Sequence, residues 1–294
     1  MAEAKQSFGG SWTAEKLSRL EKYLRAYVQI MRKQEWCEYC YIDAFAGTGY
    51  NTPKRTEGED DVDVLLPEIA AADNQEFLDS SVRIALKADP PFKRYVFIEK
   101  SEAKAAQLHK LKDEFPRIAD RIEPTLGDAN DELQRICNTW NWNKRRAVLF
   151  LDPFGMQVTW STLEAIARTN AIDMWLLFPA GIGVNRLLVR DGRIPDAWCR
   201  RLDAFLGVPE AEWRSEFYVT EADPDLFGET STTRKVATIQ SIGIFFNRRL
   251  KTIFDQVAPN PLELCNDCGT SLYLLCFAAK NATALKISSH ILRG

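Results

Sequence analysis

Five short strand-like runs, the third of mixed character and the others largely apolar, each separated from the next by polar or helix-patterned sequence, constrain this chain more than anything else in it. They are Tyr41-Ile42-Asp43-Ala44, Tyr95-Val96-Phe97-Ile98-Glu99, residues 121–126, Ala147-Val148-Leu149-Phe150-Leu151 and residues 172–178. Runs this short and this apolar read as strands buried on both faces. Helical periodicity stands between most of them, at 101–115 (ending before Pro116), 127–139 and 161–168. Residues 12–35 form an amphipathic helix ahead of the first strand, with Leu17, Leu20, Leu24, Tyr27, Val28 and Met31 on one side. Strands alternating with helices at this spacing predict βαβ units and a doubly wound, mostly parallel sheet. Right-handed crossovers then bring the loops that follow the strands to one edge of that sheet.

What stands at those strand ends is chemically pointed. The first strand runs into Asp43-Ala44-Phe45-Ala46-Gly47-Thr48-Gly49, and glycines in such a turn let the backbone approach a ligand closely. The second ends in Glu99, whose carboxylate could accept from both hydroxyls of a ribose. The third leads into Gly127-Asp128-Ala129-Asn130, where Asp128 suits the donor edge of an adenine. The fourth ends in Asp152-Pro153-Phe154-Gly155, which offers a carboxylate, a carbonyl and an aromatic face. Each item has an ordinary structural counterpart: an acid after a strand is often a helix N-cap, and for Asp128 the two roles stand side by side. Four such items in order are far more specific than one.

Composition closes off other classes. The 294 residues carry 38 basic and 41 acidic side chains, so contact with nucleic acid would need a local basic face. Only His109 and His290 occur, and no Gly-x-Ser-x-Gly elbow, which weighs against a serine hydrolase or a histidine-rich metal centre. Seven cysteines with no hydrophobic leader suggest reduced thiols in a cytoplasmic protein, and no apolar run is long enough for a membrane span. Cys37/Cys40 and Cys265/Cys268 have the spacing of zinc ligand pairs, but the expected topology puts them at opposite edges of the sheet, so no metal site is assigned.

The last third differs. Residues 184–206 (Arg186, Arg190, Arg193, Arg200, Arg201) and 232–256 (Arg234, Lys235, Arg248, Arg249, Lys251) read as basic helices that could track a phosphate backbone or be solvated faces. Trp140 and Trp142, beside Lys144-Arg145-Arg146, could stack on bases or form a packed corner. Two strands, at 262–264 and 271–278, are expected around the Cys265–Cys268 turn. The division that follows is an N-terminal helical segment (1–39), a core (40–183), a helical basic region (184–256) and C-terminal strands with a helix that complete the sheet (257–294).

The wording of these segments resembles a class I S-adenosylmethionine-dependent methyltransferase. More narrowly, YIDAFAGTG, VFIEKSE, GDAN, LFLDPFGMQVTW and WLLFPAGIGVNRLL are similar to the three-Cys-motif partner protein family, over residues 41–185 with a weaker echo at 273–280. The resemblance implies a Rossmann-like methyltransferase fold and S-adenosylmethionine as cofactor. By it, Asp43, Phe45, Gly47 and Gly49 match the cofactor loop, Glu99 the ribose acid and Asp128 the adenine-side residue. Asp152, Pro153 and Phe154 match the catalytic fourth motif. It also implies DNA or RNA as substrate, in modification, repair or defence, and a separate three-Cys-motif protein as partner.

Two departures stand out. Amine-methylating enzymes on nucleic acid commonly carry Asp-Pro-Pro-Tyr-like residues where this chain has Asp-Pro-Phe-Gly. Asp79-Ser80-Ser81-Val82-Arg83 stands where relatives are expected to carry a Gly-Ser-Pro-like segment. Residues 51–67 form a polar, acidic insertion where a simple βαβ unit would start its helix. The competing functions are a non-catalytic subunit that keeps the fold and binds a protein or nucleic acid, and a nicotinamide-dependent enzyme, which the absent third glycine disfavours.

Overall fold

Apolar residues of the strands alternate in which face they bury, and this alternation sets the layers. The computed structural model describes residues 11–46, 81–225 and 228–294. Gly47, Gly49 and the 51–67 insertion lie outside them. Helix α1 (Ser11–Met31) precedes β1 (Glu38–Asp43), followed by α2 (Ser81–Leu86), β2 (Arg94–Glu99) and α3 (Glu102–Glu114). Then come β3 (Ile122–Leu126), α4 (Ala129–Thr139), β4 (Arg145–Leu151), α5 (Trp160–Arg168) and β5 (Ile172–Phe178). After β5 come α6 (Asp196–Leu206), α7 (Glu210–Phe217), β6 (Tyr218–Asp225), β7 (Gly228–Lys235) and α8 (Ile239–Leu250). The chain closes with β8 (Gln256–Val257), β9 (Leu262–Cys265), β10 (Ser271–Ala279) and α9 (Ala282–Arg293).

The main sheet has the order β3-β2-β1-β4-β5-β10-β8, with β9 pairing to β10 as well. The pairs from β3 to β5 are parallel, and β10 is antiparallel to β5. This is a Rossmann-like, mostly parallel doubly wound sheet, and the strand order reverses between β1 and β4. Among the described residues no helix is long and apolar enough to cross a membrane.

Period-two alternation sends successive side chains to opposite faces. Cys40, Ile42, Leu149, Met174 and Leu176 pack on one side against Leu133, Ile136, Leu163 and Ile166 of α4 and α5, with Leu202, Phe205, Phe246 and Leu250 from α6 and α8. Tyr41, Val148, Phe150, Trp175 and Leu177 pack on the other, against Leu20, Tyr23 and Leu24 of α1, Leu108 and Leu111 of α3, and Ile291 and Leu292 of α9. β1, β2, β4 and β5 are therefore covered on both faces, which explains their apolar sequences, while β3 (Ile-Glu-Pro-Thr-Leu) at the margin of the sheet buries only Ile122.

The region 184–256, read as helical, needs correction. A wide turn (Ala180–Val184) and a short helical turn (Asn185–Leu187) come first, and α6 starts only after Pro195. Proline lacks the amide hydrogen that a helix interior needs and keeps its predecessor out of helical conformation. Thr232 to Lys235, read as the start of a helix, instead close the antiparallel β6–β7 hairpin. Consecutive Thr and Ser residues favour an extended chain. Helix α8 begins after Thr238, where the Thr238 and Ser241 side chains cap one another's backbone amides.

Candidate active site

Because β1 to β4 are parallel and adjacent, Asp43, Glu99, Asp128 and Asp152 all come to the carboxyl edge of the sheet, around the β1/β4 switch point. Ligands of open α/β sheets bind at this edge. Asp43 ends β1 and is buried. Its carboxylate accepts from the Ser81 hydroxyl at 2.9 Å, from the Tyr41 hydroxyl at 3.3 Å and from the Phe45 amide at 3.3 Å. Ser81 belongs to the segment that departs from the relatives' expected wording, so that departure touches the site directly. Burial pushes the Asp43 carboxyl up to about 7, with the charge of Asp152 acting in the same direction and the three hydrogen bonds opposing.

Asp43 therefore favours the neutral form more in the folded chain than in the unfolded one. Its folded pKa is raised from 3.8 to about 7, so the stabilisation it contributes is complete below the lower value and lost as pH rises through the higher one. Asp43→Asn is expected to remove this slope. Urea midpoints of variant and parent should come together near acid pH and separate above neutrality, with the variant more stable by about 2 kcal/mol or more. Parallel curves for the two proteins across that range would refute the assignment.

Asp152 follows β4, and its carboxylate is engaged from the opposite side. Lys16 of α1 places its ammonium 2.8 Å from Asp152 Oδ2, with the lysine side chain at 0% exposure and the aspartate at 11%. The ammonium also lies 5.0 Å from the Trp12 ring and 5.9 Å from the Phe150 ring. Two carboxylates and one ammonium are thus gathered beneath the strand ends. Lys16 was missed at the sequence level, although a signal exists: it stands in the register of Trp12, Leu20, Leu24 and Val28, where every neighbour four residues away is apolar.

The loop after Asp152 is shaped to present an aromatic ring. Gly155 takes φ +64, a conformation that a side-chain-bearing residue rarely adopts, and the Phe154 amide donates to Gln157 Oε1 at 3.1 Å. Pro153 is buried and the Phe154 ring is thrust outward, 42% exposed. Phe45 is half-buried against the neighbouring core.

Glu99 ends β2, and one of its carboxylate oxygens accepts from the Ser101 amide at 2.7 Å. Asp128 is the N-cap of α4, accepting from the Asn130 amide at 2.9 Å, with Lys100 3.8 Å from its other oxygen. Its capping role is present whether or not a ligand also uses it. Asn130, quoted in the sequence but given no role there, ties two loops together. It donates to the Gln157 carbonyl at 2.9 Å and accepts from the Thr159 amide at 3.0 Å and the Thr162 hydroxyl at 2.9 Å.

Other residues singled out in the sequence lie elsewhere. Trp140 and Trp142 pack on one another at 5.5 Å ahead of β4, with the Arg94 and Arg145 guanidinium groups over Trp140. That corner is at the amino edge, away from the strand-end acids. Several basic residues of the last third have neighbours of their own: Arg248 pairs with Glu216, Arg234 with Glu221, and Arg249 donates to the Gly207 carbonyl. Lys235 donates to both the carbonyl and side-chain oxygens of Asn185 at 2.7 Å, which fastens the β6–β7 hairpin to the turn after β5. Cys37 and Cys40 lie at the amino end of β1, while the Cys265–Cys268 turn precedes β10 at the carboxyl edge.

A scan against protein-family models finds no match, and a search of curated proteins finds none either. Among solved structures, the chain is similar to an O-methyltransferase from Bacillus cereus in complex with SAH (14% identity, 80% of this chain and 94% of that one, TM-score 0.33). It is also similar to the glycopeptide N-methyltransferase MtfA complexed with S-adenosyl-L-homocysteine (10% identity, 88% and 89%, TM-score 0.33). A third is spermidine synthase in complex with the transition-state analogue AdoDATO (11% identity, 95% and 64%, TM-score 0.38). The fold assignment rests on the chain's own strand order, not on these likenesses.

Proposed function

We propose that this chain is an S-adenosylmethionine-dependent methyltransferase acting on DNA or RNA. The observation that carries the reading is the set of four acids, Asp43, Glu99, Asp128 and Asp152, at the ends of four adjacent parallel strands on both sides of the switch point. In this reading Asp43, Phe45, Gly47 and Gly49 hold the methionine end of the cofactor, Glu99 binds the ribose hydroxyls and Asp128 meets the adenine edge. The cofactor supplies an electrophilic methyl group on a sulfonium, and the protein supplies position and field. The exposed Phe154 ring offers a stacking face for a planar acceptor, and Pro153 fixes the backbone beneath it. Asp43 and Asp152 bring two carboxyls to this end of the pocket, with the Lys16 ammonium paired to Asp152.

A second reading is favoured by one contact. The Asp152 carboxylate, which would polarise an acceptor amine, is already paired with the buried Lys16 ammonium. A chain that keeps the cofactor pocket but has this carboxylate occupied suits a non-catalytic subunit that binds a protein or a nucleic acid.

Calorimetry with S-adenosylmethionine tests the first reading. Micromolar binding is expected, weakened about tenfold or more by Glu99→Ala, since a charged acceptor for ribose hydroxyls is lost. Absence of heat at millimolar cofactor would sink it. Transfer of labelled methyl to DNA or RNA pools then separates an enzyme from a subunit: cofactor binding without transfer selects the second reading.

A further inference from the structure

Three cations stand together where β5 ends. Arg186 is exposed in the helical turn Asn185–Leu187, and Arg190 is exposed just beyond it. Lys235, the last residue of β7, joins them. Its amide donates to the Arg190 carbonyl at 2.9 Å, and its ammonium donates to the carbonyl and side-chain oxygens of Asn185 at 2.7 Å. An ammonium carries three donors, so one is left for a further acceptor.

Two acids flank this cluster, and each already has a partner. Asp191 pairs with Arg193, and Glu221 pairs with Arg234. Among the described residues Arg186 and Arg190 have no ion pair. Desolvation, and after it the charge of Arg190, hold the Lys235 ammonium below the ordinary lysine value. Like charges gathered this closely repel one another, and an anion set among them relieves the repulsion. The cluster is also built before any ligand arrives. Leu187 and Leu188 are buried between the two arginines, the Tyr218 hydroxyl donates to the Val189 carbonyl at 2.8 Å, and Arg214 donates to the Gly192 carbonyl at 2.8 Å. Little ordering is left for a ligand to impose.

The turn after β5 abuts the loop that carries Phe154. Strands β4 and β5 are adjacent and parallel, and a Cβ built on Gly183 would lie 3.4 Å from Met156 Cγ. Two residues before Met156 in the sequence, the Phe154 ring is 42% exposed. An aromatic face beside a rim of unneutralised cations is the combination that holds a single strand of nucleic acid, with a base on the ring and phosphates on the cations. In a duplex the faces of the bases are covered by their neighbours, and the ring has nothing to stack on. The chain as a whole carries a net charge of -3, so attraction for a polyanion has to come from a local patch of this kind.

We propose that Arg186, Arg190 and Lys235 grip the phosphodiester backbone of a single-stranded nucleic acid and lay one of its bases on Phe154. This deepens the methyltransferase reading and rests on it for what the base is brought to. Gripping the strand needs no cofactor.

The probes are fluorescein-labelled single strands of DNA and of RNA, mixed in sequence and about 20 nucleotides long, which exceeds the site of one such groove. Binding to the full chain is read by anisotropy without S-adenosylmethionine, with the DNA duplex for comparison. Three phosphate contacts predict that log Kd rises with log salt at a slope of about 2, a loss of about fifteenfold between roughly 50 and 200 mM. The duplex is expected to bind about fivefold more weakly or worse, and the tighter of the two single strands identifies the sugar. Arg186→Gln/Arg190→Gln is expected to weaken the strand about tenfold or more at low salt and to bring the slope below about 1. Its melting temperature is expected to stay that of the parent, since both side chains are exposed. Arg25→Gln/Arg135→Gln removes the same charge from two exposed helix positions and is expected to change affinity by less than about twofold. Phe154→Ala is expected to weaken the strand about fivefold or more and to leave the duplex unchanged. No binding of either strand at about 100 μM protein and low salt would overturn the proposal. So would full affinity in the Arg186/Arg190 variant or in Phe154→Ala, an equal loss in the Arg25/Arg135 variant, or a duplex bound as tightly as the strand. The cofactor reading fails separately: heat from S-adenosylmethionine without strand binding sinks the grip alone, and strand binding without that heat sinks the transferase alone.

Discussion

Lys16→Met is expected to cost roughly 3–5 kcal/mol of stability, the usual penalty for removing one partner of a buried ion pair. In a chain of this size that lowers the melting temperature by about 5–8 °C. The penalty comes less from the lost attraction than from what remains: Asp152, whose side chain is 11% exposed, next to Asp43, which is buried completely enough to be raised to about 7 already. With the ammonium gone, the Asp152 charge stands unpaired beside the buried Asp43. The second substitution decides the cause. In Lys16→Met/Asp152→Asn the stranded charge is gone, so most of the loss is expected to return, and the double-mutant cycle should give a coupling energy of about 2 kcal/mol or more. If the double variant melts where the single one does, the pair has no energetic meaning and Lys16 acts by volume alone.

Gly181→Ala is the other change expected to be severe. A Cβ built on Gly181 would sit 2.0 Å from the Ser271 carbonyl oxygen and 3.0 Å from its carbon. Both are backbone atoms of the first residue of β10, so no rotamer can relieve the clash. Either the turn after β5 or the start of β10 must move, and β10 is hydrogen-bonded to β5 from Leu274 to Ala278. A loss of about 3 kcal/mol or more is expected, at the upper end for overpacking. Gly269→Ala is the control: it has φ +75 but nothing within 4 Å of the new carbon, so it carries backbone strain alone, about 1 kcal/mol. Thermal melts that rank the two equally would show that the close approach does not exist.

Strands β1, β2, β4 and β5 were legible because they are buried on both faces, which calls for runs as apolar as Ala147 to Leu151. The acids Asp43, Glu99, Asp128 and Asp152 were legible for the same reason in reverse: each is the first charged group after an apolar run, and the parallel topology gathers such positions at one edge. The β6–β7 hairpin was not legible. Its strand Tyr218–Asp225 holds a proline and three acids, so no period-two apolar signal marks it. The partners of Lys16 and Ser81 were not legible for a different reason. Asp152 stands 136 positions from Lys16 and Asp43 stands 38 from Ser81, and no local pattern encodes a contact made only when the sheet is assembled. Asp128 shows the converse: its capping hydrogen bond is local, and an acid two residues before an amide at a helix start announces it.

Helix α1 reaches both edges of the sheet. Lys16, near its beginning, pairs with Asp152 at the carboxyl edge, and Tyr27, eleven residues on by the sequence, lines a cavity at the amino edge. At about 1.5 Å per residue the two are roughly 16 Å apart along one rigid rod. The helix is thus packed at both rims of the sheet. A molecule that slides or turns it while binding at one end changes the free energy of binding at the other, and thermodynamic reciprocity makes the effect equal in both directions. What looks like a lid of packing on one face of the sheet is also a single element that reaches both of its rims.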